Sequence, residues 1–156
     1  MFSPISAIVE LYVADYFNKK YGQCIFHPVG YYPWHDGTSL GGRLDIRYEV
    51  KLDAKAREEG NLAIEKSCRG ETSGINRTSA FTWVHLVPDA NGTLEGYEFV
   101  VSELREAIKH FPTKWGGDGK QSELAIIPIE QAARLAVDKF PLAIPWPQLG
   151  PYWQWK

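Results

Sequence analysis

Two cysteines, Cys24 and Cys68, are too few for a disulfide framework, and their separation is not that of a metal knuckle. They read as buried free thiols. No stretch approaches the roughly 18 consecutive apolar residues that a membrane span needs. The N-terminus lacks a basic segment followed by an apolar run and a small-residue cleavage site, so the expected location is the cytoplasm, away from membranes. Without a secretory signal, the acceptor-like triplets Asn76-Arg77-Thr78 and Asn91-Gly92-Thr93 carry no weight. The four histidines, His27, His35, His85 and His110, show no pair at zinc spacing. Trp115-Gly116-Gly117-Asp118-Gly119 lacks the Lys-Ser/Thr of a phosphate-binding P-loop and reads as a turn. There is no internal repeat and no excess of positive charge. The net charge of −2 makes the chain as a whole no magnet for phosphate backbones. A protein that gathers carboxylates around a divalent cation is nevertheless acidic without its metal, so this balance excludes little.

What is present is globular. The 156 residues, 44% apolar and 23% charged, suffice for one core, so the expectation is a single domain over 1–156 with an irregular Pro- and Trp-rich tail from about 141. Ser3-Pro4 starts a helix whose stripe is Ile5, Ile8, Val9, Tyr12, Val13 and Tyr16, with Glu10 and Asp15 outside it. Strands are expected at 24–26, 36–40, 43–52, 60–65, 81–87, 97–101 and 124–127. Asp53 to Glu59 reads as a charged loop. Helices are expected at Glu103–His110, capped by Ser102, and at Pro128–Lys139. Helix first, then strands, then helices and a late strand describes a mixed α/β domain, a central mixed sheet flanked by helices.

Chemistry concentrates in residues 36–51. Leu44, Ile46, Tyr48, Val50 and Leu52 alternate with Arg43, Asp45, Arg47, Glu49 and Lys51, a charged face that cannot be core. Glu49 and Lys51 therefore share one face, a carboxylate able to bind a cation beside an ammonium able to orient a water. With Gly41-Gly42 as a hairpin turn, Asp36 pairs with Arg47 and lies diagonal to Glu49 at roughly 7–8 Å. Asp45 stands four residues from Glu49 on the same strand, roughly 13 Å away. That register prefers Asp36 as the second ligand and leaves Asp45 as the fallback.

Asp36 followed after a dozen residues by Glu49-Val50-Lys51 resembles the signature of the PD-(D/E)XK, or restriction-endonuclease-like, nucleases. The order of elements is similar as well. Glu49-Val50-Lys51-x-Asp53, Gly60-Asn61-x-x-x-Glu65 and Ser73-Gly74-Ile75-x-x-Thr78-x-Ala80 resemble small phage and bacterial nucleases of that kind. The likeness spans about residues 5–130, although no proline precedes Asp36. It implies Mg²⁺, with Mn²⁺ as a substitute, held by Asp36 and Glu49, with Lys51 assisting the nucleophilic water. By similarity to junction resolvases, Glu10 from the first helix joins the set, and Glu65 is an outer-shell candidate.

Ser73, Asn76, Arg77 and Thr78 in a glycine-permitted bend, with Arg47 and Arg69, are candidate phosphate contacts. The tail aromatics Trp146, Tyr152, Trp153 and Trp155 more often cover a core than stack on bases. The expected function is a Mg²⁺-dependent endonuclease acting on DNA, with a preference for branched structures. A possible homodimer would let one small site per copy cut two strands. The alternative is an inactive nucleic-acid- or protein-binding module on the same fold.

Overall fold

The computed structural model describes residues 4–21, 23–26, 37–41, 44–89 and 93–142. Helix α1 (Pro4–Tyr21) is followed by strands β1 (Gln23–Phe26), β2 (Gly37–Gly41) and β3 (Leu44–Leu52), a short helix α2 (Ala56–Glu59), and strands β4 (Asn61–Cys68) and β5 (Glu71–Thr72). A 3₁₀ turn (Gly74–Asn76) leads to β6 (Thr82–Pro88) and β7 (Leu94–Val100), helix α3 (Val101–Ala107), β8 (Thr113–Gly116), β9 (Ser122–Pro128), α4 (Ile129–Leu135) and β10 (Asp138–Leu142). The strands form two sheets. The larger is six-stranded in the order β1-β2-β3-β6-β7-β10, and the smaller is four-stranded in the order β5-β4-β9-β8. The class is mixed α/β, but a second sheet stands where flanking helices alone were expected. Among the described residues no helix is long and apolar enough to cross a membrane.

The alternation in β3 determines the layers. Tyr48 and Val50 are buried with Val84 and Leu86 of β6 against Val9, Val13 and Phe17 of α1, and the Phe17 ring meets Tyr48 edge-on at 4.7 Å between centroids. Each such side chain contributes about 1.5–3 kcal/mol by leaving water. Phe17, which the expected stripe omitted, is fully buried at its centre. On the other face Trp83, Val87, Tyr97 and Phe99 share a second core with Leu62, Ile64, Ala125 and Ile127 of the smaller sheet and Leu104 of α3. On the charged face of β3, Glu49 and Lys51 therefore sit beside Trp83 and His85 at the border of the second core, while Arg47 is exposed.

Other boundaries moved for identifiable reasons. The helix expected over Pro128–Lys139 stops at Leu135 because the chain turns into β10, which pairs with β7, and Val137 N–H bonds to the Glu98 carbonyl. The second helix begins at Val101 with no side-chain cap, so Ser102 is not its N-cap. Thr113–Gly116, expected in part as a turn, is an edge strand on β9. The Asp53–Glu59 segment contains α2. The thiol of Cys68 is free and half-buried. The tail aromatics beyond residue 142 lie outside the described residues.

One polar cluster ties α1 to the far edge of the large sheet. Lys20 Nζ donates to Glu98 Oε1 and Asp138 Oδ2, each at 2.9 Å. The Tyr21 hydroxyl donates to Glu98 Oε2 at 2.8 Å, and the Tyr16 hydroxyl donates to Asp138. Burial alone would lower the Lys20 ammonium, but hydrogen bonds to Glu98 and Asp138 outweigh it and hold the group well above the ordinary lysine value. Burial, then the bond to Asp138, pushes Tyr16 up, and burial likewise raises Tyr21. Burial would raise the Asp138 carboxyl, but hydrogen bonds from Tyr16 and Lys20 outweigh it and leave it below the usual carboxylate value.

Groups raised by folding stabilise fully below their unfolded values and lose that contribution as pH climbs through the folded ones. A lowered carboxyl does the reverse. Urea midpoints should therefore fall above about pH 10, where Lys20, Tyr16 and Tyr21 would lose their protons in the unfolded chain, and again below about pH 4 from Asp138. Lys20→Met should cost about 2 kcal/mol at pH 7 by stranding the buried Glu98, and should make the alkaline limb shallower.

Candidate functional site

The parallel pairing of β3 with β6 sets Glu49 beside Trp83 and Lys51 beside His85. All four residues belong to the face of the large sheet turned toward the smaller one. The Glu49 side chain is 14% exposed and that of Lys51 43%. Lys51 Nζ lies 3.3 Å from Glu49 Oε1 and 5.9 Å from the Trp83 ring centroid. The other Glu49 oxygen accepts a hydrogen bond from Thr78 Oγ1 at 2.9 Å, and the same hydroxyl oxygen accepts the Ala80 N–H at 3.1 Å.

Thr78 is held there by a turn that also serves Glu65. Ser73 Oγ donates to Glu65 Oε2 and Ser122 Oγ to Glu65 Oε1, each at 3.0 Å. The turn needs Gly74, whose φ is +52°, and a Cβ there would come 2.3 Å from the Glu65 carbonyl oxygen. Arg105 of α3 closes it from behind with hydrogen bonds to the Ile75 carbonyl at 2.8 and 3.0 Å and to the Thr78 carbonyl at 3.2 Å. One turn thus carries a hydroxyl to each of two carboxylates on different sheets.

Beyond Lys51 runs a buried relay. Trp83 Nε1–H donates to His85 Nδ1 at 3.2 Å, and His85 Nε2 lies 2.9 Å from Asp53 Oδ2. An indole can only donate, so Nδ1 accepts and Nε2 carries the proton offered to Asp53. Asp53 Oδ2 also accepts the Ala63 N–H at 2.9 Å, linking the end of β3 to β4. With both ring nitrogens engaged and 1% exposure, His85 positions rather than reacts.

The expected hairpin forms with a different register. Gly41 pairs with Leu44, Leu40 with Asp45 and Thr38 with Arg47. The register is thus shifted by two from the expected one, a shift of even parity, which leaves the alternation of paired positions unchanged because side-chain direction repeats every two positions. Asp36 lies outside the described residues. Asp45 faces Leu40 in the ladder, four positions along β3 from Glu49. Glu10 sits on α1, which packs on the opposite side of the large sheet from Glu49 and Lys51, so these elements do not bring it to them.

Among the expected phosphate contacts, Ser73 and Thr78 bond the two carboxylates, and the Asn76 amide donates to the Lys66 carbonyl at 3.3 Å. Arg69 Nε donates to Gln121 Oε1 at 2.8 Å. Arg47 and Arg77 are exposed. Among the described residues no three His, Cys, Asp or Glu side chains converge as a metal site.

Next to Lys51 opens a cleft of about 530 Å³ that reasoning from sequence missed. Ala63, Leu124 and Ile126 of the smaller sheet are part of its lining, and Lys55, Lys114, Trp115 and Lys120 stand around it. The clue in the sequence was two lysines and an indole around a glycine pair, read as a turn because the segment lacks apolar alternation. No protein-family model matches this chain, and no match to it is found among the curated proteins or the solved structures.

Gly74→Ala should lose on the order of 2–4 kcal/mol in urea denaturation, from backbone strain and the contact with Glu65. Thr78→Val, which leaves a largely buried Glu49 oxygen without its donor, should cost about 1–3 kcal/mol, while Thr78→Ser stays near wild type.

Proposed function

We propose that the chain is a divalent-metal-dependent nuclease of the restriction-endonuclease-like type, with Glu49 as a metal-binding carboxylate and Lys51 as the cation that holds the attacking water. One observation carries this reading. Glu49, only 14% exposed, lies 3.3 Å from the half-exposed Lys51 at the edge of a lysine-bearing cleft, whereas the carboxylate of a solubilising charge pair sits in open water. The donor set suits Mg²⁺, which needs one or two carboxylates and keeps several waters. Glu49 supplies one carboxylate, already steadied by Thr78. When bound, such an ion would supply Lewis-acid polarisation of the phosphodiester and a more acidic water.

Asp36 is the second carboxylate of this proposal. It precedes Gly37, and Gly37 pairs with Tyr48, the residue before Glu49. Asp45 remains the fallback. Glu65 fits an outer role better than Glu10, because it lines the same cleft as Lys51. In this reading Lys51 neutralises Glu49 in the resting protein, and with a metal on the carboxylate its ammonium would be available to the water or the phosphate. The substrate is DNA, and the setting is the cytoplasm.

A second reading, a nucleic-acid-binding module without hydrolysis, draws on the engagement of both Glu49 oxygens, one by Lys51 and one by Thr78.

Incubation with single-stranded, duplex and branched DNA separates the two. Cleavage in Mg²⁺ or Mn²⁺ that stops in EDTA is expected. Glu49→Gln should abolish it, and Lys51→Ala should slow it about 10²- to 10⁴-fold. Binding without cleavage in every metal would favour the module. Asp36→Asn should inactivate and Asp45→Asn should not, and the opposite result would transfer the ligand role to Asp45.

A further inference from the structure

The cleft beside Lys51 combines two kinds of wall. Its floor includes Ala63, Leu124 and Ile126, each only partly buried, on the face of the smaller sheet opposite its core face. Around it stand Lys55, Lys114 and Lys120, all exposed, and among the described residues none of them has a carboxylate within salt-bridge distance. Three acids share the lining: Asp53 bonds His85 and the Ala63 N–H, Glu65 bonds Ser73 and Ser122, and Glu59 is exposed, so four lysines, Lys51 among them, face three carboxylates.

Trp115 completes the wall. Its indole is 55% exposed, whereas the Trp83 indole that also borders the cleft is 1% exposed and tied to His85. A large exposed aromatic on an edge strand gains nothing for the core. The loop after it leaves room, because Gly116 and Gly117 carry no side chain into the cleft and Gly117 has φ +74°.

We propose that this cleft is a subsite for one unpaired nucleotide of a nucleic-acid strand, with Trp115 stacking on the base and Lys114, Lys120 and Lys55 holding the flanking phosphates. The inference rests on the nuclease reading above and gives that site a substrate class, single-stranded or frayed DNA next to the bond that is cut. An aromatic face beside cations is the usual means of holding single strands without reading their sequence. A cleft of about 530 Å³ is of small-ligand size, so it takes one base and not a duplex. A paired base has its faces covered by its neighbours and must leave the stack before an indole can reach it.

Binding is measured in EDTA at low salt by fluorescence anisotropy, so that no cleavage intervenes. The probes are a labelled ten-residue oligothymidylate, an abasic strand of equal length and a blunt hairpin duplex. The oligothymidylate should bind about five- to hundredfold more tightly than the abasic strand. Trp115→Ala should erase that difference, and Trp115→Phe should keep most of it. Lys114→Ala with Lys120→Ala should weaken both strands and flatten the salt dependence. Thymidine monophosphate should compete only at far higher concentration than the strand, and equal competition would reassign the cleft to free nucleotides.

The subsite is overturned if Trp115→Ala leaves the preference intact, or if polyglutamate competes as well as oligothymidylate. Its failure is distinguishable from failure of the nuclease reading. Trp115-dependent binding without metal-dependent cleavage would sink only the hydrolytic role. Glu49-dependent cleavage indifferent to Trp115 would sink only the subsite.

Discussion

A carboxylate drawn almost out of water is the constraint around which this molecule is arranged. Glu49 is 14% exposed, and a charge so placed costs several kcal/mol unless hydrogen bonds and a counter-charge replace its hydration. Lys51 and Thr78 supply these. Thr78 can do so only because the preceding turn passes tight against the Glu65 backbone, which requires a glycine at 74, and because Arg105 holds two carbonyls of the turn. Glu65 in turn takes hydroxyls from Ser73 and from Ser122 of β9. The large sheet, the small sheet and α3 thus meet through a run of bonds that starts at one side chain, so the candidate chemistry and the docking of the sheets share the same residues.

The strand that carries Glu49 separates two environments. Its even-numbered residues bury against α1, whose own polar anchor, Lys20, lies beyond the apolar contact on Glu98 and Asp138. Glu49 and Lys51, between and beyond them, meet the polar seam. Because faces repeat every two positions, a charge on α1 and a charge at Glu49 belong to opposite sides of a hydrogen-bonded sheet. This is why Glu10, matched to the signature by order along the chain, is not delivered to the seam by the helix that carries it.

What could be read from sequence was local. Alternation along β3, seen in buried Tyr48 and Val50 on either side of Glu49, and the apolar face of α1 at Val9 and Val13 each lie within a dozen residues, and each is present. The bend at Ser73-Gly74 is also real, but its hydroxyls point inward to acids, a direction no local pattern encodes. What escaped reading depends on distant partners. β10 is a strand because β7 offers it an edge, and β8 because β9 does, although Asp138–Leu142 and Thr113–Gly116 have little strand character of their own. The Trp83–His85–Asp53 relay needs β3 and β6 side by side and parallel, a pairing between segments 30 residues apart along the chain. The hairpin register differs by two from the expected one, because faces alone cannot distinguish registers of the same parity.

Net charge decides little for a related reason. A chain at −2 looks indifferent to polyanions, yet at physiological salt charges farther apart than about 8–10 Å scarcely feel one another. The field inside a cleft is set by its own walls. Here the walls bring Lys51, Lys55, Lys114 and Lys120 together from two stretches of sequence against Asp53, Glu59 and Glu65, of which Asp53 and Glu65 spend hydrogen-bonding capacity on neighbours. Lysines of this kind attract any polyanion without distinguishing one from another, and the indole of Trp115 supplies what they lack, a preference for a flat ring. Under the proposed function, affinity and selectivity then come from different residues of one wall, beside rather than within the carboxylate-lysine pair that would do the chemistry.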